Sequence, residues 1–357
     1  MFEKGTCGSG FSRELTLSQI GNRDRMAQNQ GGWKVKAFPV LDSARAVAAR
    51  ARFVALDEAA VDPAVRAWGH LLQERPSWRE PFHYWDGTDE TARWIFVLDV
   101  LNHCFWPDPG EPLWETVLDG TLYSGYCGLA AALKKAYLDG VPLTDARFLQ
   151  AITPAELARI LEGTGRIPLF EARLENLREA GRVLVTKWSG DVMHLVAWAD
   201  GSACRLAAQL AEDFMSFRDQ FVLDGQPVYF WKRAQIFAAD VHAAFEGRGP
   251  GGFRDIERLT AFADYKLPQV LRELGILRYG RDLADRIDAG RELPSGSREE
   301  IEIRAATIVA VEKLKESFHR RGAGHVTSVH VDHWLWSLGQ RQPFRRRPYH
   351  RCRTIFY

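Results

Sequence analysis

Apolar residues recur at three- and four-residue spacing through most of this chain, and alternate only in two short stretches. The pattern therefore predicts a mainly α fold with short β-hairpins. Helical spacing runs from Asp42 to Val54 and again from Asp62, before Pro76, Pro81 and Gly87 interrupt it. Asp89 and Glu90 then open a strongly apolar stretch, TARWIFVLDVLNHCFW, predicted as a helix ending near Pro107. A hairpin is expected where TVLDG turns at Asp119-Gly120 into TLYSGY, followed directly by a small-residue helix, CGLAAALKKAYLDG. Helical periodicity resumes from Thr153 to Phe217, with breaks at Gly163–Gly165, Ser189-Gly190 and Asp200-Gly201. A second hairpin is predicted over Phe221–Phe230 about Asp224-Gly225, and a helix, WKRAQIFAADVHAAF, follows it. Beyond Asp282 come a long helix over SREEIEIRAATIVAVEKLKESFHRR, the segment VDHWLWSLG and a basic tail, RRRPYHRCRTIFY, whose arginine run Arg345–Arg347 is read as solvated or as attracting an anionic substrate or RNA. Residues 1–38 are Gly-, Ser-, Asn- and Gln-rich without sustained periodicity, so they are expected to form a flexible arm. Residues 39–357 are expected to form a single catalytic domain, with 39–220 and 221–357 as lobes if it divides.

The stretch Phe262-Ala263-Asp264-Tyr265-Lys266-Leu267-Pro268-Gln269 joins a carboxylate, an aromatic and an amine to the start of a short apolar helix. Leu267, Val270, Leu271 and Leu274 mark its buried side, and Gly275 is a natural stop. Asp264 is placed at the N-cap, with Pro268 in the first turn, where a missing N–H costs little. Two readings stay open: a cap alone, or a carboxylate that the helix amides and dipole hold ionised beside a developing cation. Lys232 opens the helix on the other side of the glycine-rich EGRGPGGF, making a helix–loop–helix unit. It is either an exposed neighbour of Arg233 or the cationic partner of Asp264. That loop is not followed by GK[ST], so it does not cradle phosphate in the P-loop manner.

Ile301, Arg304, Ile308 and Val311 share one helical stripe, so Arg304 requires either a carboxylate or a bound anion. Glu302 lies on another face. His325, His330, Asp332 and His333 lack zinc spacing, and no HExxH occurs, so neither a metal nor another cofactor is expected. Ser124 lacks a GxSxG elbow, and Cys127 has no assigned base.

Composition narrows the classes further. With 357 residues, 46% hydrophobic and 26% charged, a sizeable core is affordable. A net charge of +1 argues against duplex nucleic acid and anionic membranes as partners. Cys7, Cys104, Cys127, Cys204 and Cys352 form no CxxC pair and read as free thiols of a reducing cytoplasm. Nothing approaches the ~20 apolar residues of a membrane span, and Met1–Gly10 is too polar for a secretory signal.

From about residue 42 onward the chain resembles the queuosine salvage family, whose members are queuosine 5′-phosphate N-glycosylases. The resemblance rests on LNHCFW (101–106), TLYSGY (121–126), WKRAQI (231–236), FADYKLPQVL (262–271), EIEIRA (300–305), DHWLWSLG (332–339) and PYHRCRTIFY (348–357), in that order. His103-Cys104 departs from the family pattern. The resemblance implies a fold similar to the helix-hairpin-helix DNA glycosylases and hydrolysis of the bond joining queuine, a 7-deazaguanine, to ribose 5-phosphate. The partner so implied is a small nucleotide, with no stable nucleic-acid partner and no membrane. Carried over residue by residue, Asp264 is the catalytic carboxylate and Lys232 its charged neighbour. Phe105, Trp106, Tyr123 and Trp336 are the stacking candidates, and Tyr265 is a further substrate-binding candidate. Asp332 or Glu302 would accept from the guanine-like edge, and Arg304 would meet the phosphate or a carboxylate. A helical RNA-binding module and a DNA base-excision glycosylase are the competing classes, both disfavoured by the near-zero charge.

Overall fold

The computed structural model describes residues 38–72, 78–108 and 110–357. Phe38–Tyr357 form one compact unit. The expected arm lies outside the described residues except for Phe38, which packs edge-on against Trp231.

Helix α1 (Pro39–Ala48) leads to strand β1 (Val54–Leu56) and helix α2 (Val61–Trp68), so the predicted 42–54 helix stops early and ends as a strand. Helix α3 (Asp89–Leu101) is capped by Thr88, which accepts from the Glu90 amide. Trp94, Ile95, Phe96, Val97, Leu98, Val100 and Leu101 of α3 are all buried, so the helix is apolar all round and runs through the core. The first hairpin is β2 (Glu115–Leu118) with β3 (Thr121–Ser124), turning at Asp119-Gly120, and helix α4 (Gly125–Leu138) follows without a linker. Helices α5 (Ala146–Ala151), α6 (Pro154–Ile160), α7 (Phe170–Lys187), α8 (Val192–Trp198) and α9 (Ala203–Asp213) fill the periodic region and end at its breaks. The second hairpin pairs β4 (Gln220–Leu223) with β5 (Gln226–Tyr229).

Next come helix α10 (Lys232–Ala244), the glycine-rich loop and helix α11 (Lys266–Glu273). Gly251 seats that loop on α10, where a Cβ would fall 2.6 Å from the Val241 carbonyl oxygen. Strand β6 (Leu277–Tyr279) then pairs antiparallel with β1, a long-range pairing that no local signal announces. Helix α12 (Arg281–Asp288) precedes the long α13 (Arg298–Arg320), which packs on α1, α2, α11 and α14 (Ser328–Leu338).

Two expectations need correction. The segment after α3 is not helical: Asn102 leaves helical geometry, and Cys104 takes a positive φ of 41°. Buried cations take its carbonyls, as described below, so helical amides are not needed. The solvated reading of the arginine run holds for Arg345 and Arg346 and not for the half-buried Arg347, and the tail beyond it packs inward. Arg345 and Arg346 are exposed, but His350, Cys352 and Tyr357 are buried. The Gln269 side-chain amide donates to the Arg347 carbonyl, and Arg347 pairs with Glu273 at 2.5 Å, tying the tail to α11. Among the described residues, no helix is long and apolar enough to cross a membrane, and no cluster of metal-binding side chains occurs.

Candidate active site

Three helices hold the segment Thr260–Asp264 through buried polar side chains. Gln235 of α10 accepts from the Thr260 amide at 2.8 Å and donates to the Phe230 carbonyl. Asp332 of α14 accepts from the Phe262 amide at 2.7 Å, and Arg304 of α13 donates to the Ala263 carbonyl at 3.0 Å. Asp264 follows, and its Oδ1 accepts from the amides of Lys266 (2.7 Å) and Leu267 (3.1 Å). The carboxylate thus caps α11 from one residue before Tyr265, which is the first flanking position by backbone geometry. Among the described residues no donor reaches Oδ2, and the side chain is half-buried, so one oxygen stays available.

Lys232 is set from the opposite direction. Asp219 accepts from the Lys232 amide through Oδ2 at 3.2 Å and pairs with the Arg304 guanidinium, at 2.8 Å through Oδ1 and 2.5 Å through Oδ2. That guanidinium lies over the rings of Phe230 (3.9 Å) and Tyr357 (4.3 Å). Glu300 reaches it at 3.3 Å, and the two carboxylates outweigh desolvation, so the Arg304 pKa is raised.

The carbonyls of residues 99–104 meet a row of cations. Arg233 donates to Asp99 (2.8 Å) and Val100, and Arg173 donates to Leu101, His103 and Cys104 (2.8 Å to the last). Lys232 Nζ takes the carbonyl between them, Asn102, at a long 3.5 Å. This closes the account of the helix end, and the negative pole of α3 favours those charges. The Lys232 amine is buried, makes no direct ion pair with Asp264, and keeps donors free for a ligand.

Around Lys232 lie four carboxyl groups: Asp264, Asp332, Asp99 and Asp240. Burial pushes the amine's pKa down, while Asp264 acts most strongly to raise it, ahead of Asp99 and Asp332. Burial pushes Asp332 up to about 8, with Asp264 reinforcing it, and burial pushes Asp99 up to about 8. Asp240 is raised by burial and by Asp99, although its side chain keeps part of its surface open. Asp264 and Asp240 thus keep part of their surface open beside the buried Lys232, Asp99 and Asp332, a partly open acidic cleft around the amine. Tyr126 belongs to it: its hydroxyl bonds His83 Nε2 at 2.8 Å and feels Asp240 and Asp99. His103, buried beside Arg173, is held neutral by burial and by the nearby cations.

The structure gathers some of the predicted residues and disperses others. Asp264, Lys232 and Asp332 meet in the cleft. Tyr265 is half-buried at its mouth, hydrogen-bonded to the Phe105 backbone and tilted against Tyr349 with ring centroids 4.8 Å apart. Phe105 is likewise half-buried, over Arg173. Tyr123 reaches only Phe82, edge-on, which in turn meets Tyr126. Trp106 is buried under Arg353 and Arg351, so it is no open shelf for a base. Arg304 is fully buried and spends four of its five N–H donors on Asp219, Glu300 and the Ala263 carbonyl, which makes it a carboxylate partner. Glu302 accepts from the Arg52 (2.8 Å) and Phe53 (2.7 Å) amides at the entry to β1, which turns it away from any base edge. Trp336 lines a shallow groove of about 270 Å³ with Leu71, Ser337, Gln340 and Arg341, none of them a cleft group. A wider groove of about 580 Å³ between α4 and α6 holds no buried titratable group.

Sequence reasoning missed Asp99, Asp240, Tyr126 and Tyr349. The first carried a signal: a carboxylate inside the apolar run IFVLDVL must have a reason to be there.

Residues 82–357 match the sequence profile of the family described as "Queuosine salvage protein". The chain belongs to that family. A Sphaerobacter thermophilus protein named queuosine 5′-phosphate N-glycosylase/hydrolase is 45% identical over 318 residues, covering 89% of this chain and 97% of that protein. Proteins of the same name from Bos taurus (37% over 283 residues; 76% of this chain, 83% of that protein) and Mus musculus (34% over 333; 88% and 98%) are also similar. Every residue of the Lys232 cleft lies inside the family match.

Proposed function

We propose that this chain hydrolyses the N-glycosidic bond of queuosine 5′-phosphate and releases queuine for reuse in tRNA modification, acting in the cytoplasm without a cofactor. The observation that carries the reading is the free Oδ2 of Asp264, held in a desolvated cleft beside an amine that keeps unused donors. Glycosidic cleavage develops positive charge on the ribose, and a fixed carboxylate in low dielectric stabilises it. The bond from C1′ to the base nitrogen breaks with its electron pair going to the base. A water oxygen then bonds to C1′, its proton passes to the Asp264 carboxylate, and protonation of the anionic base in turn restores that carboxylate. Queuine is a 7-deazapurine, with carbon where purines have N7, so protonation there cannot assist departure. More of the barrier falls on Asp264 and on groups that hold the base.

Lys266 supports a phosphate at the mouth. Its amine is half-buried near the Tyr349 ring and feels Arg345, which makes a positive rim three-quarters of a turn from the carboxylate's cap. The helix–loop–helix of α10 and α11, with a carboxylate opening the second helix, supports the likeness to helix-hairpin-helix DNA glycosylases. The experiment is incubation with queuosine 5′-phosphate and detection of free queuine by mass spectrometry. Release by the native chain, and its loss in Asp264→Asn, is the expected result. Binding of tRNA with a steep salt slope and no base released would favour an RNA-binding module instead.

A further inference from the structure

Asp99 and Asp240, on the floor of the cleft, are two carboxyl groups that the described residues leave largely without partners. Asp99 is fully buried; its Oδ2 has no hydrogen-bond partner, and its only side-chain bond is a long 3.5 Å contact from Asn102 Nδ2. Asp240 makes no hydrogen bond or ion pair with any described residue, yet it feels the Asp99 charge strongly. The nearby cations make no hydrogen bond or ion pair with either carboxyl among the described residues. Arg233 spends its guanidinium on the carbonyls of Asp99, Val100 and Ser216, and Lys232 touches only the Asn102 carbonyl. A buried acceptor without a donor costs free energy, and two adjacent carboxyl groups without a counter-charge cost more. Such a floor suits a ligand that brings its own cation.

Resting on the proposed reaction, we infer that the Asp99–Asp240 floor reads the positive charge on the substituent at C7 of the base. In queuosine that substituent is an aminomethyl arm whose secondary amine is protonated at neutral pH. The substrate class is then a 7-deazaguanine nucleotide with a cationic arm, and the guanine-like edge alone is not enough. An ammonium hydrogen-bonded to a desolvated carboxylate strengthens binding by ~10- to 100-fold over a neutral isostere.

The test compares three 5′-phosphates with the same base edge: queuosine, 7-aminomethyl-7-deazaguanosine and the uncharged 7-cyano-7-deazaguanosine. Calorimetric binding of the three free bases runs in parallel. The expected result is a preference of ~10-fold or more in kcat/KM and in base affinity for both cationic arms. That preference should fall toward unity in Asp240→Asn and in Asp99→Asn. Asp240 is partly open, so its variant serves if Asp99→Asn fails to fold. Equal turnover of cationic and neutral substrates overturns the inference and leaves the proposed hydrolysis standing, as does a preference that survives both substitutions. Charge-dependent base binding without release from any nucleotide overturns the hydrolysis and leaves the inference standing. Absence of both release and base binding overturns both.

Discussion

Two short segments meet at Lys232 and are held in opposite ways. Residues 99–104 present carbonyls, and buried cations take them: Arg233, Lys232 and Arg173. Residues 260–263 present mainly amides, and buried acceptors take them: Gln235 and Asp332, with Arg304 on the one inward carbonyl. The contrast separates two kinds of buried charge that look alike in a sequence. Arg173 and Arg304 spend four donors each on backbone carbonyls, Asp219 and Glu300, and Arg233 gives three bonds to backbone carbonyls with Nε unpaired. Asp264 Oδ2, the Lys232 amine and the Asp99–Asp240 pair have capacity left over. Spare hydrogen-bonding capacity, rather than charge alone, marks the groups that can meet a substrate.

The largest expected effect breaks the scaffold side of this contrast. Arg304→Met leaves Asp219 and Glu300 as uncompensated buried charge and should destabilise the fold by about 3–5 kcal/mol. Thermal unfolding checks it, at roughly 1–2 °C for each kcal/mol in a unit of this size. If Arg304 instead served the phosphate, stability would hold and KM would rise only for phosphorylated substrate. On the other side, Asp264→Asn keeps an oxygen for the Lys266 and Leu267 amides. It should therefore unfold near the native temperature while turnover drops by ~10²-fold or more. Single-turnover release of queuine measures that loss, and near-native turnover would remove Asp264 from the chemistry.

The same contrast explains what could be read in advance. Helices marked by apolar spacing, and hairpins marked by Asp119-Gly120 and Asp224-Gly225, are written locally and appear where expected. The cap at Asp264 is equally local. The end of α3 is not, because Arg173 and Arg233, far along the chain, decide where its carbonyls go. The β1–β6 pair and the packing of His350, Cys352 and Tyr357 depend in the same way on distant partners. Asp332 and Glu302 look interchangeable as acids in helices. Only the fold distinguishes the one beside Asp264 from the one holding the Arg52 and Phe53 amides.

A smaller effect sharpens the assignment of spare capacity at the mouth. Lys266→Ala should cost ~10-fold in kcat/KM for queuosine 5′-phosphate, the scale of one charge-assisted hydrogen bond, and much less for the unphosphorylated nucleoside. An equal loss on both substrates would make Lys266 a general support for α11 instead of a phosphate contact.

The smallest effect tests whether Asp332 belongs with the scaffold or with the cleft. Its carboxyl holds the Phe262 amide, yet burial and Asp264 raise its pKa to about 8. A folded-state pKa above the unfolded value of 3.8 means that the fold favours the protonated acid. That contribution is complete below about pH 4 and is lost as pH rises through about 8. Asp332→Asn keeps an oxygen for the Phe262 amide but cannot ionise. The melting temperature of the variant relative to the native chain should therefore climb from pH 5 to pH 9, by a few degrees in all. A difference that stays flat would mean that Asp332 ionises normally in the fold. Its carboxylate would then be counted among the charges available to a ligand, next to Asp264.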